Sequence, residues 1–563
     1  MSPGLTAIVV GIGALLPLQD AAAPAPRSEK PPILEQQKLR QAMALLASEH
    51  AELVSILPVG LSRGTPGGEP RRIEALRLAS GDLGEGRPGI LVVANIEGPM
   101  VYTSGLALDL ARRLAADHAA GEDGARALLD HTTVYVIPRA NPDAAQARFS
   151  SPIQEARGTG TGADDDRDGR SGEDGPSDVD GDGYITWMRI ADPEGSWIED
   201  PDDPRLLIEA DASRGERGKW LLVREGRDLD GDGVAAEDPQ WDAQVDRNFP
   251  AGYEDQAPRA GLYATNEPEA RALVEFILTH PDIQVVVVLG EQDNVVAPPD
   301  VVDDDARDTL SVPAKGWRQS DADRLALLAE RFKESDDHAA SAEERDEAGT
   351  FPHWTYAHRG LWTMAIRPWA VPLGDEEEGD ERSQGARRLS WLDTNGVADA
   401  HLGWNSFDHP ELGAVEVGGF RPFALIEPPA SIWGELVEAQ RSLLVDLGPR
   451  LARLDLEGVA ARDLGGGLLE IRATVVNRGE LPLTSTWGER TRTTRPAKVV
   501  LRIPADAEVV AGRRQTLVTG LSGGKNREEL VWLVRGTQPE AVGISVESDH
   551  AGRAQAQPEV NDQ

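Results

Sequence analysis

Between Arg87-Pro88 and Gly98-Pro99 lies Gly89-Ile90-Leu91-Val92-Val93-Ala94, a stretch without a single polar side chain. A strand with one wet face alternates apolar and polar residues. An unbroken apolar run of this length reads instead as a fully buried strand of a parallel sheet. Parallel strands place ligands just beyond their C-terminal ends, so chemistry is expected between Asn95 and Met100, where Glu97 and Met100 stand. An amphipathic helix follows, Ser104 to Ala116, with Leu106, Leu110 and Leu114 on one face. A second apolar strand, Thr133 to Pro138, runs into Arg139-Ala140-Asn141-Pro142-Asp143, and a third spans Ile283 to Leu289.

At 563 residues, 40% of them apolar, the chain is long enough for two or three domains with sizeable cores. Its formal charge of −39 argues against nucleic acid or an anionic membrane as partner. Leu5 to Leu18 is apolar but too short to span a bilayer, and Ala21-Ala22-Ala23 and Ala25 follow it. Residues 1–25 therefore read as a signal peptide, which implies a secreted or periplasmic protein with no membrane span in its mature chain. There is no cysteine, so an exported form would need a staple other than disulfides. Pro24 to Pro32 reads as a linker and Leu34 to Leu57 has helical periodicity.

Much of the acidity is concentrated in a segment from about 150 to 240. Three clusters stand out: Asp164, Asp166 and Asp168 before Gly169; Asp178, Asp180 and Asp182 before Gly183; Asp228, Asp230 and Asp232 before Gly233. Aspartates at alternate positions with glycine at the sixth let a tight loop turn several oxygens inward, the pattern of a calcium loop. None has Glu at the twelfth position, where Gly175, Arg189 and Pro239 fall, so ligands would be shared between loops rather than held as EF-hands. The alternative is a solvated acidic loop with Asp-Gly turns. Further on, Asn266 is read as the cap of a helix with Pro268 in its first turn, and Ser320-Asp321 as the cap of one reaching Phe332. From about Asp455 to 560 short alternating strands separated by glycine-rich turns predict an all-β sandwich.

In order and spacing, Glu97 and Met100 after the first strand, Asn141-Pro142-Asp143, Asp246-Arg247-Asn248-Phe249, Asn266-Glu267-Pro268-Glu269 and the strand ending at Leu289 resemble the zinc carboxypeptidase family, the carboxypeptidase A-like metallopeptidases. Gly349 to Trp369 is similar to that family's approach to its last catalytic strand, and Trp404 to Gly419 to the segment closing the domain in secreted bacterial members. The resemblance implies an α/β fold, a mixed, largely parallel sheet flanked by helices, over residues 26–450, with the acidic segment as an insertion. It also implies where the site should be. The family's His-x-x-Glu ligand pair falls on Glu97 and Met100, its third ligand on Gly290 followed by Glu291, and its general base on Arg367. An always-protonated guanidinium cannot take a proton from water, so all three zinc-ligand positions and the base are replaced.

The substrate-holding side persists by the same resemblance. Arg247 matches the arginine that binds a peptide's C-terminal carboxylate, Asp246 stands where the family has asparagine, and Arg189 is a candidate for holding a substrate carboxylate or for pairing with the acidic loop beside it. The expectation is a secreted pseudoenzyme with calcium bound and zinc lost, binding a peptide or protein C-terminus, its pocket neutralised by Arg247 and Arg367 among Glu97, Asp246 and Glu291. The alternatives are an active metallocarboxypeptidase with a relocated zinc site using His353 or His358, and a calcium-stabilised structural or adhesive protein. Tyr356 is assigned to core packing, and His280 lies too far from Gly290 to supply the missing ligand.

Overall fold

The structure is a computed structural model. It describes residues 31–560 apart from 66–67, 82–85, 163, 165–168, 173, 230, 232–233, 240–241, 305–315, 343–346, 374–381, 398, 520 and 522–526. The expected signal peptide therefore lies outside the described residues, as do Asp166, Asp168, Asp230 and Asp232. Among the described residues no helix is long and apolar enough to cross a membrane.

Six strands form the central sheet: β1 (Val54–Leu61), β2 (Arg72–Leu78), β3 (Gly89–Ala94), β4 (Thr133–Ile137), β5 (Ile283–Leu289) and β6 (Trp362–Ile366), in the order β1-β2-β4-β3-β5-β6. β4, β3, β5 and β6 are mutually parallel, and β2 and β1 complete the sheet antiparallel. The apolar run is buried throughout because both of its faces are covered. Ile90, Val92 and Ala94 of β3, with Val285, Val287 and Leu289 of β5, point into one core shared with the helices Gln36–Glu49, Val101–Ala120, Gln319–Lys333 and Trp433–Leu447. Leu91, Val93, Val286 and Val288 point into a second core beneath the helices Pro268–Thr279 and Phe351–Arg359. Each such side chain contributes about 2 kcal/mol on burial, which is why the run tolerates no polar residue.

Several local expectations shift. The first helix ends at Glu49, and Val54–Leu61 is a strand: Leu39, Met43 and Leu46 bury one helical face, but past His50 the backbone groups pair with β2 instead. The helix Pro268–Thr279 is capped at Glu267 rather than Asn266 and starts on Pro268. The helix Gln319–Lys333 has no side-chain cap; Asp321 sits in its first turn and serves another purpose, described below. The acidic insertion is not merely a long loop. Its strands Trp187–Ala191, Trp197–Glu199, Leu207–Glu209 and Trp220–Arg224 join the hairpin His401–His409 and Gly413–Phe420 in a second, wholly antiparallel six-stranded sheet.

The C-terminal strands form a five-stranded and a four-stranded sheet. Leu469, Ile471 and Val475 of one face Val499, Leu501, Ile544 and Val546 of the other across a common core, which is a β-sandwich. It docks on the amino end of β5. Gln284, buried in that strand, donates to the carbonyls of Ala452 (2.7 Å) and His550 (2.6 Å) and accepts from Ala452 N–H (2.9 Å). A second latch is Asp321, fully buried, which accepts the N–H groups of Thr486 (2.8 Å) and Trp487 (3.1 Å) and the Tyr356 hydroxyl (3.0 Å). Tyr356, stacked on Trp317 at 4.0 Å, is thus a core residue. Asp321→Ala would strand three buried donors; the expected loss, read by chemical denaturation, is about 3 kcal/mol, with Asp321→Asn costing less because it keeps one acceptor.

Candidate functional site

β3 and β5 lie side by side and parallel, and their carboxyl ends open on a cavity of about 1030 Å³. Asn95 shapes the rim. Its backbone is left-handed (φ 53°), a conformation asparagine tolerates, and its side-chain amide donates to the carbonyls of Glu97 (2.8 Å) and Gly98 (3.2 Å). Thr103 accepts the Asn95 N–H (3.0 Å) and donates to Met100 O (2.7 Å), so the turn is tied to the start of the helix Val101–Ala120. The turn carries Glu97 across to the end of β5, where its Oε1 accepts the N–H of Glu291 (3.2 Å).

Gly290 is the complement of that side chain. A Cβ at this position would lie 2.5 Å from Glu97 Oε2 and 2.8 Å from Oε1, closer than non-bonded atoms approach. The carboxylate of residue 97 therefore occupies the space in which any side chain at residue 290 would begin. Glu97 is 9% exposed, and burial, reinforced by the charge of Glu291, pushes its carboxyl up to about 7; backbone N–H bonds and Arg157 oppose the rise only in part. Asp246 belongs to the turn Val245–Arg247, and its Oδ1 accepts the N–H of Phe351 (2.8 Å) at the amino end of the helix Phe351–Arg359. Burial, with the charges of Glu97 and Glu291, also holds its carboxyl well above the usual range.

Of the residues singled out in the sequence, Glu97, Met100, Asp246, Arg247, Glu291 and Arg367 all line this one cavity. Arg189 does not. It is held in the antiparallel sheet by Glu416 (2.6 Å), with its guanidinium 4.3 Å from the Trp220 ring and 4.8 Å from the Trp404 ring. His353 and His358 lie on the helix Phe351–Arg359 outside the lining, His353 Nδ1 against the Glu347 carbonyl (3.0 Å). His280 stacks on Phe276 and bonds its carbonyl.

The structure adds residues with no motif to reveal them. Arg157 donates from Nη1 to both oxygens of Glu291 (3.0 and 2.7 Å), and Arg224 reaches the cavity from the second sheet. Of the acidic clusters, Asp178 and Asp180 converge with Glu225, one oxygen from each within 4.8 Å of the others. Glu225 comes from the end of a distant strand and already accepts the N–H groups of Val179 (2.8 Å) and Thr186 (2.7 Å). Asp182 turns back to its own loop, accepting Tyr184 N–H (2.8 Å), while Asp164 accepts Gly169 N–H at 3.4 Å and Asp228 accepts Gly231 N–H at 2.7 Å.

The raised Glu97 pKa has a testable sign. Below its ordinary value near 4.5 the carboxyl is protonated folded or unfolded; between there and about 7 the unfolded chain ionises first, so the native state loses stability as pH rises, fully so above 7. Glu97→Gln is expected to stabilise the protein by about 2 kcal/mol at pH 8 and by nothing measurable near pH 4.5, read from denaturation at the two pH values.

Residues 39–368 match the family model of zinc carboxypeptidases, and residues 453–559 match a family described as a domain of unknown function. No curated protein matches the chain. Among solved structures, similar folds include thrombin activatable fibrinolysis inhibitor (10% identity, TM-score 0.38, 74% of this chain and 73% of that one). Others are carboxypeptidase A from Helicoverpa armigera (11%, 0.36, 65% and 73%) and a metallo-carboxypeptidase from Burkholderia cenocepacia (14%, 0.30, 64% and 69%). The family match spans more than half of the sequence and coincides with the sheet that builds the cavity: this chain belongs to the zinc carboxypeptidase family.

Proposed function

We propose that this member of the family is an exported, non-catalytic receptor for the C-terminus of a peptide or protein, with calcium ordering its acidic insertion. The observation that carries the reading is the set of side chains around the Glu97 carboxylate over Gly290. Catalytic zinc takes three protein ligands, chiefly histidine and carboxylate, and keeps one position open for water. Here the three positions offer one carboxylate, a thioether that is a poor zinc donor, and no side chain at all. No histidine is among the described residues that line the cavity, and the position of the base holds Arg367. These residues do not fit a catalytic zinc. What favours binding is Arg247, whose planar guanidinium suits a terminal carboxylate, in a cavity roomy enough for a terminal residue and its neighbours.

Elemental analysis and peptide binding on the same preparation test this. The expected result is no stoichiometric zinc, together with saturable binding of peptides that have a free C-terminus and no cleavage of them. About one zinc per chain after dialysis, or turnover abolished by a chelator, would overturn the non-catalytic reading.

For calcium, the donor set that supports the reading is Asp178, Asp180 and Glu225, oxygen ligands of the type hard cations take. Burial, with the charge of Asp180, raises the Glu225 carboxyl, a penalty that a bound cation would reverse. Calcium at a hundredfold excess over its dissociation constant should stabilise the protein by about 2.7 kcal/mol, visible as a melting temperature lowered by chelator and restored by calcium. Asp180→Asn is expected to abolish that response; an identical response in the variant would remove this site from consideration.

A further inference from the structure

The cavity carries a charge that the chain as a whole does not. The sequence holds 57 Lys and Arg against 96 Asp and Glu, yet seven arginines and no lysine, against five carboxylates, line the cavity among the described residues. Arginine is the side chain whose fork matches a carboxylate edge on, so the choice of residue as well as the charge points to an anionic ligand.

The arginines are not equivalent. Arg247 is the one already assigned to a peptide's terminal carboxylate. Arg157 is engaged by Glu291 at 2.7 Å, and Arg259 has Asp242 at 3.7 Å. Arg224 ends the strand Trp220–Arg224, and its guanidinium lies over the indole of Trp187, 4.9 Å from the ring centre, in the neighbouring strand Trp187–Ala191. Among the described residues no carboxylate comes within ion-pairing distance of it. Stacking on Trp187 fixes one face of the guanidinium and leaves its in-plane N–H groups able to donate. Arg224 is half-buried in the cavity wall, and a ligand carboxylate is the group whose edge its N–H groups match.

We propose that the cavity selects peptides whose last residue has an acidic side chain, Arg224 binding that side-chain carboxylate while Arg247 takes the terminal one. The proposal rests on the C-terminus reading above and goes beyond it by naming the ligand class. Both guanidiniums line the one cavity, and a neutral or basic end group would give Arg224 no carboxylate to bind.

The test uses the full chain and three peptides identical except at the end: one finishing in Glu, one in Gln, and the Glu peptide with its α-carboxyl amidated. Calorimetric titration should show the Glu peptide binding about tenfold or more tightly than the Gln peptide, one charge-assisted contact's worth. In Arg224→Gln that ratio should fall to about one with the Gln peptide unaffected, and Arg224→Lys should recover part of it. Unchanged melting temperatures would show that both variants remain folded. Equal affinity for the Glu and Gln peptides in the wild-type chain, or a preference that survives Arg224→Gln, overturns the proposal while leaving C-terminal binding in place. An amidated peptide that binds as well as the free acid overturns the C-terminus reading itself, and failure of all three peptides to bind overturns both.

Discussion

The pairing of β3 with β5 governs the rest of the molecule. From Ile90 opposite Val285 to Ala94 opposite Leu289, the two strands run parallel with apolar side chains on both faces, so the chain must supply a layer of helices above and another below. Those helices arrive from remote parts of the sequence, as far apart as Gln36 and Leu447. Parallel strands also bring their carboxyl ends together at one edge, and the polar groups that close them there have nowhere to go but into the same recess. The cavity is a geometric result of that pairing.

Within the recess, replacements that look independent along the chain turn out to be matched. The Glu97 carboxylate fills the space over Gly290, and its acceptor oxygen finds the backbone N–H that follows that glycine. Asp246 uses the amino end of a helix as its donor and still remains hard to ionise because it is buried, with Glu97 and Glu291 close by. Arg157 arrives from the insertion to hold Glu291. The result is a cluster of carboxyl and guanidinium groups held by neighbours, in a place where the family resemblance implies a metal dication and its ligands.

How much of this could be read from the sequence depends on where the information lies. β3, β4 and β5 are legible because burial on both faces leaves continuous apolar runs, and the sandwich strands because they alternate. The second sheet is not. Its strands are short and half-exposed, its partners His401–His409 and Gly413–Phe420 lie far along the chain, and its faces carry arginines stacked on tryptophans, Arg189 between Trp220 and Trp404 and Arg224 on Trp187. No periodicity announces such pairs, which explains why Arg189 was open to a ligand-holding role and Arg224 carried no signal at all. Likewise Glu97, Asp246, Arg247 and Arg367 can be placed in one recess by motif order, whereas Glu225 joins Asp178 and Asp180 only through folding.

The sandwich and the cavity occupy opposite ends of a single strand: Gln284 near the start of β5 is clasped by Ala452 and His550, and Glu291 just beyond its finish faces the recess. Strand direction thus gives the whole assembly a front and a back. The described residues that line the recess all precede the sandwich in the chain, so closing the back of the sheet leaves the front free to vary.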